Sequence, residues 1–154
     1  MGKAEAVLDE TMLIRDVDRG SHYIRDWTGE ADCDPSFVAR PRNVDEVVEL
    51  VRYCADNGLA VVPQGGHTGL VEGASARIEG GHVLVSLERM NRIRAIDPLN
   101  FSVEVEAGCV LEVLHQAVEA EDLMFPLSLG AKGSCQIGGN VATNAGGINV
   151  LRYG

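Results

Sequence analysis

The sequence predicts an α+β fold. Segments rich in β-branched and aliphatic residues favour strands at 37–40, 59–63, 82–87, 93–96 and 101–107, and helical periodicity is found at 44–57 and 110–120. The order is strand, helix, strand, loop, three strands, helix and loop. This order lacks the regular alternation of strand and helix that is typical of a doubly wound parallel sheet.

The first 36 residues are expected to lead into a domain that spans 37–154. Weak helical periodicity over 4–15 predicts a short helix, carried by Val7, Leu8, Met12 and Leu13. The polar stretch 16–34 predicts irregular structure. A strand then begins at Phe37 and ends before Pro41.

The first long helix has a start signal and a stop signal. Asn43 is a good N-cap, Glu46 three residues later completes a capping-box pattern, and Gly58 suits the position after the last turn. The apolar spacing predicts one buried face made of Val44, Val47, Val48, Val51 and Cys54.

The remaining elements follow from short-range patterns. Residues 59–63 predict a buried strand that leads directly into a glycine-rich loop, and the residue types at 97–100 predict a turn. Strict alternation over 101–107 predicts a half-exposed strand, with Glu104 and Glu106 facing solvent. Gly108 ends that strand, and the helix at 110–120 is expected to bury Val110, Leu111, Leu114, Ala117 and Val118.

Composition describes a single globular domain. The chain has 154 residues, 45% of them apolar and 23% charged, with a net charge of −10. This charge argues against nucleic acid or an anionic membrane as a partner. No signal peptide and no apolar run of about 20 residues is visible, so a cytoplasmic location is expected. The four cysteines lack metal-binding spacing, so no metal is expected, and Cys54 and Cys109 are interpreted as buried apolar residues.

Two glycine-rich blocks carry the clearest functional signal. The first is PQGGHTGL at 63–70, and the second is GAKGSCQIGGNVATNAGG at 130–147. Neither has the spacing of the dinucleotide fingerprint, and Lys132 is followed by glycine where a phosphate-loop motif has Ser or Thr. A tight turn between strands is the structural alternative for the first block, and a flexible loop is the alternative for the second. The density of glycines and small polar residues favours two loops that hold a phosphorylated cofactor with backbone N–H groups.

The two blocks resemble the FAD-binding domain of the vanillyl-alcohol oxidase / p-cresol methylhydroxylase (PCMH) superfamily. The closest resemblance is to the branch with D-lactate dehydrogenase, glycolate oxidase and D-2-hydroxyglutarate dehydrogenase. It extends over 40–154, with 26–29 similar to that branch's N-terminal segment. The resemblance implies a PCMH-type fold of two subdomains that hold FAD between them, here incomplete at the C-terminus and without the substrate domain.

The resemblance also implies which residues hold FAD. Residues 64–68 would surround the FAD pyrophosphate, and residues 126–128 would approach the isoalloxazine. The pyrophosphate and ribityl side of FAD would be lined by Gly138, Gly139, Asn140, Thr143 and Asn144. The full set of expected cofactor-binding residues is Pro63, Gln64, Gly65, Gly66, His67, Thr68, Gly69, Leu70, Pro126, Leu127, Ser128, Gly130, Ser134, Cys135, Ile137, Gly138, Gly139, Asn140, Thr143, Asn144 and Gly146.

Two residues depart from the pattern of that branch. His67 replaces an asparagine, so it is either a loop residue that forms hydrogen bonds or the site of a covalent bond to the flavin, as in the berberine-bridge-like relatives. Glu72 replaces a glycine, and a carboxylate beside a pyrophosphate is unfavourable unless it points to solvent. The other histidines, His22, His82 and His115, form no catalytic pattern, and Lys132 is expected to be an exposed loop residue.

By the resemblance, a complete protein would oxidise a D-2-hydroxy acid by hydride transfer to FAD, and a second acceptor would reoxidise the flavin. We expect little turnover from this chain alone. The alternative is a non-catalytic flavin-binding fragment or subunit that needs a partner chain. A reductase of the related UDP-sugar type fits less well, because the second block is more similar to the hydroxy-acid branch.

Overall fold

The computed structural model describes residues 8–17, 21–25, 27–29, 33–75 and 81–153. A short 3-10 helix at Glu10–Met12 precedes the first strand. The strands are β1 (Leu13–Ile14), β2 (Phe37–Ala39), β3 (Ala60–Gln64), β4 (His82–Ser86), β5 (Ile93–Asp97) and β6 (Ser102–Val105). The helices are α1 (Val44–Asp56), α2 (Leu111–Glu119), α3 (Ile137–Ala142) and α4 (Val150–Tyr153).

The strands form two separate sheets. In the four-stranded sheet the order is β1-β2-β4-β3, and both β2 and β3 run parallel to β4. Strand β1 pairs antiparallel with β2. The second sheet is the antiparallel hairpin β5–β6. The α+β class expected from the sequence is therefore confirmed, and each sheet packs on its own hydrophobic cluster.

The prediction of a helix over 4–15 is wrong for the part that the structure describes; residues 4–7 lie outside it. Asp9 caps a single 3-10 turn, and Leu13 then pairs with Ala39 at the edge of the sheet. Met12 is buried against that sheet. A short helix with weak periodicity is only marginally stable. Pairing with the sheet edge satisfies the backbone groups of this segment, so a strand forms instead. Of the segment 26–29, Asp26 also lies outside the described residues, and Trp27 is exposed.

Helix α1 has the predicted boundaries but a different buried face. The side chain of Asn43 accepts a hydrogen bond from the Glu46 N–H at 2.9 Å, and Gly58 adopts a φ of 66°. Leu50 and Cys54 are the buried residues of the helix, whereas the predicted Val44, Val48 and Val51 are exposed. The helix has two adjacent apolar stripes, and the position of the sheet decides which of them is buried. The periodicity of the sequence does not show where the sheet lies.

Strand β3 is an edge strand and not the buried strand that its composition predicts. Ala60, Val61 and Pro63 are exposed, and only Gln64 is fully buried. Central β4, in contrast, is buried at every position. An edge position also explains how a strand tolerates Pro63, which has no N–H to donate to a neighbour.

The second sheet packs against α2. Val103 and Val105 turn towards the buried residues Leu114 and Val118 of that helix, while Ser102 and Glu104 face solvent. The predicted turn is present, because a carboxylate oxygen of Asp97 accepts hydrogen bonds from the N–H groups of residues 99 and 100. The alternation is thus confirmed for residues 102–105, whereas Phe101 is exposed. Leu111, Leu114 and Val118 are buried as predicted, and Val110 and Ala117 are half-buried.

Glu106 contradicts the prediction that it is solvated, because it is only 4% exposed. Its carboxylate accepts hydrogen bonds from the Arg92 backbone and guanidinium, and from Arg94 Nη2 at 3.1 Å. The Arg92 hydrogen bonds lower the pKa of Glu106 from 4.5 to about 2. This ion cluster fastens the strand end that precedes Gly108 and α2.

All four cysteines are buried and free, as expected for Cys54 and Cys109, and burial raises the pKa of both of those thiols. Among the residues that the structure describes, no group of three or more His, Cys, Asp or Glu side chains is arranged to hold a metal ion. In the same residues, no helix combines the length and apolar character needed to cross a membrane.

Candidate cofactor site

The two glycine blocks lie against each other. A Cβ atom added at Gly66 would stand 1.9 Å from the backbone oxygen of Ser134. One added at Gly65 would lie 3.6 Å from the side-chain oxygen of Gln136. Glycine at position 66 is therefore required by the close approach of two backbones, and the blocks form one continuous surface.

The second block is not the structureless loop that its composition predicts, since it contains α3 and leads into α4. Gly138 lies within α3, where an added Cβ would be 2.8 Å from the Cβ of Ala107. The Gly138 N–H also donates to the Ala107 backbone oxygen at 2.8 Å. The helix forms despite its glycines because they allow it to pack directly on the chain before α2.

Two side chains of the first block fasten it to the rest of the molecule. The Gln64 amide donates to the backbone oxygens of Tyr23 and Ala74 at 2.9 and 3.1 Å. The His67 Nδ1 lies 2.9 Å from the His22 backbone oxygen, and its Nε2 lies 3.1 Å from the Ser75 hydroxyl. Because a carbonyl oxygen only accepts, Nδ1 carries the hydrogen. These side chains are engaged within the protein, so the loop can offer a ligand mainly its backbone.

The backbone N–H groups of residues 65–69 form a row of available donors. Within the described part of the chain, none of them pairs with a backbone or side-chain acceptor. Residues 65–68 are half-buried and Gly69 is exposed. Successive amide groups of this kind bind anionic oxygens without a basic side chain.

Both departures from the family pattern lie at left-handed backbone positions. His67 has a φ of 53° and Glu72 a φ of 58°. Asparagine and glycine, the residues expected there, are the ones that adopt this conformation most readily. The two substitutions therefore bear first on backbone conformation, and only second on side-chain chemistry.

A cavity of about 340 Å³ lies beside the second block. Its wall includes the predicted residues Pro126, Leu127, Ile137, Asn140, Asn144 and Gly146, together with Phe125, Val141, Ala145, Val150 and Tyr153, which sequence reasoning missed. The missed residues are ordinary apolar types, and only their position next to the predicted ones could have pointed to them.

Two buried amide oxygens have no hydrogen-bond partner among the described residues. They are Oδ1 of Asn140, whose residue lines the cavity, and Oε1 of Gln136, close to Gly65. Buried polar atoms without a partner are costly in a folded protein. Together with the amide row and the glycine contacts, they fit a site completed by a polar cofactor.

Some predicted residues lie apart from this arrangement. Leu70 and Gly130 are exposed and do not line the cavity, and the Thr143 hydroxyl donates to the Gly139 backbone oxygen at 2.9 Å. Cys135 is buried beneath Gly66. Contact of the individual residues with FAD stays a prediction. Lys132 is exposed, as expected, and lies 3.3 Å from a Glu112 carboxylate oxygen.

A polar cluster around Tyr23 holds the segment to which Gln64 of the first block is hydrogen-bonded. The Tyr23 hydroxyl donates to Glu88 Oε1 at 2.7 Å, and Arg40 Nε lies 2.7 Å from the same oxygen. Burial, reinforced by this hydrogen bond, raises the pKa of Tyr23 to about 12. Tyr23 therefore stays a neutral donor, and its backbone oxygen stays in place for Gln64.

The family model for an FAD-binding domain matches residues 35–154. The chain is 43% identical over 150 residues to a protein named probable D-2-hydroxyglutarate dehydrogenase, mitochondrial, from Oryza sativa subsp. indica, covering 97% of this chain and 26% of that protein. It is 46% identical over 129 residues to D-2-hydroxyglutarate dehydrogenase, mitochondrial, from Bos taurus, covering 84% of this chain and 23% of the relative. The chain thus spans about a quarter of the length of these curated relatives.

A solved structure of alkyldihydroxyacetonephosphate synthase superposes with a TM-score of 0.83 at 20% identity, over 97% of this chain and 30% of that one. At this identity the likeness concerns the fold alone, and it confirms the PCMH-type fold, which the chain covers in part. From the family match over residues 35–154 and the fold, we conclude that the chain belongs to the FAD-binding domain family and that its cofactor is FAD.

Proposed function

We propose that the protein is the FAD-binding part of an oxidoreductase that acts on a D-2-hydroxy acid. The relatives named above as D-2-hydroxyglutarate dehydrogenases support this substrate class. FAD would supply the hydride acceptor for oxidation of the acid at its C2 carbon. The residues of this chain would bind and orient the cofactor and exclude water from one side of it.

The single observation that carries the proposal is the row of N–H groups at 65–69, next to the second glycine block. A protein with a net charge of −10 has no favourable overall field for a pyrophosphate, which carries about two negative charges. Local backbone dipoles overcome this, because donors that are already in position require little reorganisation. The cavity beside Asn140 then offers an apolar wall for the flavin ring.

A comparison of flavins tests this division of roles. Purified chain is titrated with FAD and with riboflavin, which has the same ring and ribityl chain but no phosphate, while flavin fluorescence is followed. We expect FAD to bind at least about tenfold more tightly, since charge-assisted hydrogen bonds contribute about 1.5–3 kcal/mol each. Equal affinity for the two would contradict a pyrophosphate site in the first block.

The second candidate is a flavin-binding subunit that acts only with another chain. Exposed apolar side chains favour it: Val141, which lines the cavity, is 76% exposed, and farther along the chain Ile148 is 83% and Leu151 100% exposed. Exposed apolar patches of this kind usually contact a further protein surface. Dye reduction with D-2-hydroxyglutarate, D-lactate and glycolate tests whether this chain needs more protein for activity. We expect little turnover from this chain alone, and efficient turnover would contradict a need for more protein.

The cellular location stays a prediction. The cytoplasm was expected from the sequence, whereas the rice and cattle relatives are named as mitochondrial proteins.

A further inference from the structure

The segment Pro126–Ser128 forms one wall of the cavity without belonging to a helix or strand. Pro126 and Leu127 line the cavity and are half-buried. Without the backbone ladder of a helix or strand, the position of this wall depends on what holds its carbonyl groups. All three carbonyls have partners, which come from two separate parts of the chain.

The first partner is His115 on α2. Its Nε2 lies 2.9 Å from the Leu127 backbone oxygen, so this nitrogen carries the hydrogen. Helix α2 is anchored next to it by Leu114, which is 1% exposed. The His115 ring also packs near Phe125, with ring centroids 6.1 Å apart. A fixed helix therefore sets the position of the Leu127 carbonyl.

The second partner is the chain immediately before α4. The Asn149 side-chain amide donates to the Pro126 backbone oxygen at 2.9 Å, and the Ile148 N–H donates to the Ser128 backbone oxygen at 3.4 Å. Gly147 makes this approach possible, since its φ is 64° and an added Cβ would be 2.4 Å from the Ser128 oxygen. The wall is thus held from both sides.

We propose that His115 and Asn149 are positioning residues, which set the wall of the flavin cavity by holding two successive carbonyl groups of Pro126–Ser128. The inference rests on the proposed function, because it takes this cavity as the flavin site. Neither residue was among the expected cofactor ligands, and both act through the backbone of the wall. Loss of either hydrogen bond frees one carbonyl and lets the wall shift relative to Asn140 across the cavity.

The test uses matched variants of the 154-residue chain. His115→Phe keeps a ring but removes the donor, His115→Gln restores an N–H donor, and Asn149→Leu keeps the size without the donor. Gln116→Ala, an exposed change on the same helix, is the control. FAD affinity is measured by flavin fluorescence, the environment of the ring by the visible absorbance spectrum of bound flavin, and folding by circular dichroism.

We expect His115→Phe and Asn149→Leu to weaken FAD binding about three- to tenfold and to alter the flavin spectrum, in line with the loss of one hydrogen bond. His115→Gln and the control should stay within about twofold of the parent chain. The inference is overturned if folded His115→Phe or Asn149→Leu binds FAD like the parent, or if His115→Gln is as impaired as His115→Phe. If one variant does not fold, the other decides. If the parent chain binds no FAD, the proposed function itself fails, and this inference with it.

Discussion

Gly66 and the backbone oxygen of Ser134 are in such close contact that a Cβ atom at position 66 would stand 1.9 Å from that oxygen. Gly66→Ala must therefore push the two glycine blocks apart. We expect a loss of at least about 1–3 kcal/mol in the free energy of unfolding, as for overpacked sites, and a marked loss of FAD affinity. Urea unfolding and FAD titration measure the two effects.

Gly69→Ala is the matched control, since an added Cβ there meets nothing within 4 Å. It should change the free energy of unfolding by less than about 0.5 kcal/mol, as surface substitutions usually do. If Gly66→Ala and Gly69→Ala change the free energy of unfolding by the same amount, the contact between the blocks does not restrict the side chain at position 66.

The Glu106 cluster predicts a specific acid sensitivity. The pKa of Glu106 is about 2 in the folded protein against an ordinary value of 4.5, so its charged form is favoured by folding. The stability that it contributes is complete above pH 4.5 and is lost as the pH falls towards 2. We expect the difference in Tm between the parent chain and Glu106→Gln to be largest at neutral pH and to shrink across this window.

Glu104→Gln serves as the comparison for Glu106→Gln, because Glu104 is exposed and its oxygen lies 3.5 Å from Arg94. An exposed pair at this distance contributes little, so its Tm difference should be small at every pH. If the Tm difference between the parent chain and Glu106→Gln does not depend on pH, packing and not charge holds the end of β6.

The parts of the fold that the sequence predicts correctly depend on neighbours a few residues apart. The Asn43 cap, the Gly58 stop and the Asp97 turn each involve groups within four residues, so short patterns contain the needed information. The composition of the glycine blocks also indicates ligand-binding loops, because long segments of this kind are usually functional, and the family resemblance adds FAD as the ligand.

The parts of the fold and of the site that the sequence does not predict depend on contacts between residues far apart in the chain. Glu106 pairs with Arg92 fourteen residues away, and its alternation pattern alone predicts a solvated residue. Which stripe of α1 is buried depends on the sheet, and α3 depends on the contact of Gly138 with Ala107. His115 and Asn149 were missed for the same reason, since each acts on a backbone carbonyl at least twelve residues away.

The geometry of His67 predicts that FAD is held without a covalent bond to this residue. Its Nδ1–H donates to the His22 backbone oxygen, and its Nε2 is paired with the Ser75 hydroxyl, so both ring nitrogens are engaged. We expect acid-denatured holoprotein to release all its flavin into the filtrate of an ultrafiltration device. Flavin that stays with the denatured chain, and is lost in His67→Asn, would establish the covalent bond instead.

Glu72 has a left-handed backbone with a φ of 58°, and it follows the amide row at 65–69 by three residues in the sequence. We expect Glu72→Gly to raise the free energy of unfolding by about 1 kcal/mol, because glycine adopts this conformation without a steric penalty. It should also tighten FAD binding by removing a negative charge near the pyrophosphate site.

Glu72→Gln separates the two effects, since it removes the charge but keeps a side chain of the same size. If charge controls binding, both variants tighten FAD to the same extent, while only Glu72→Gly raises the unfolding free energy in urea. Unchanged FAD affinity in both variants would mean that the carboxylate points away from the cofactor.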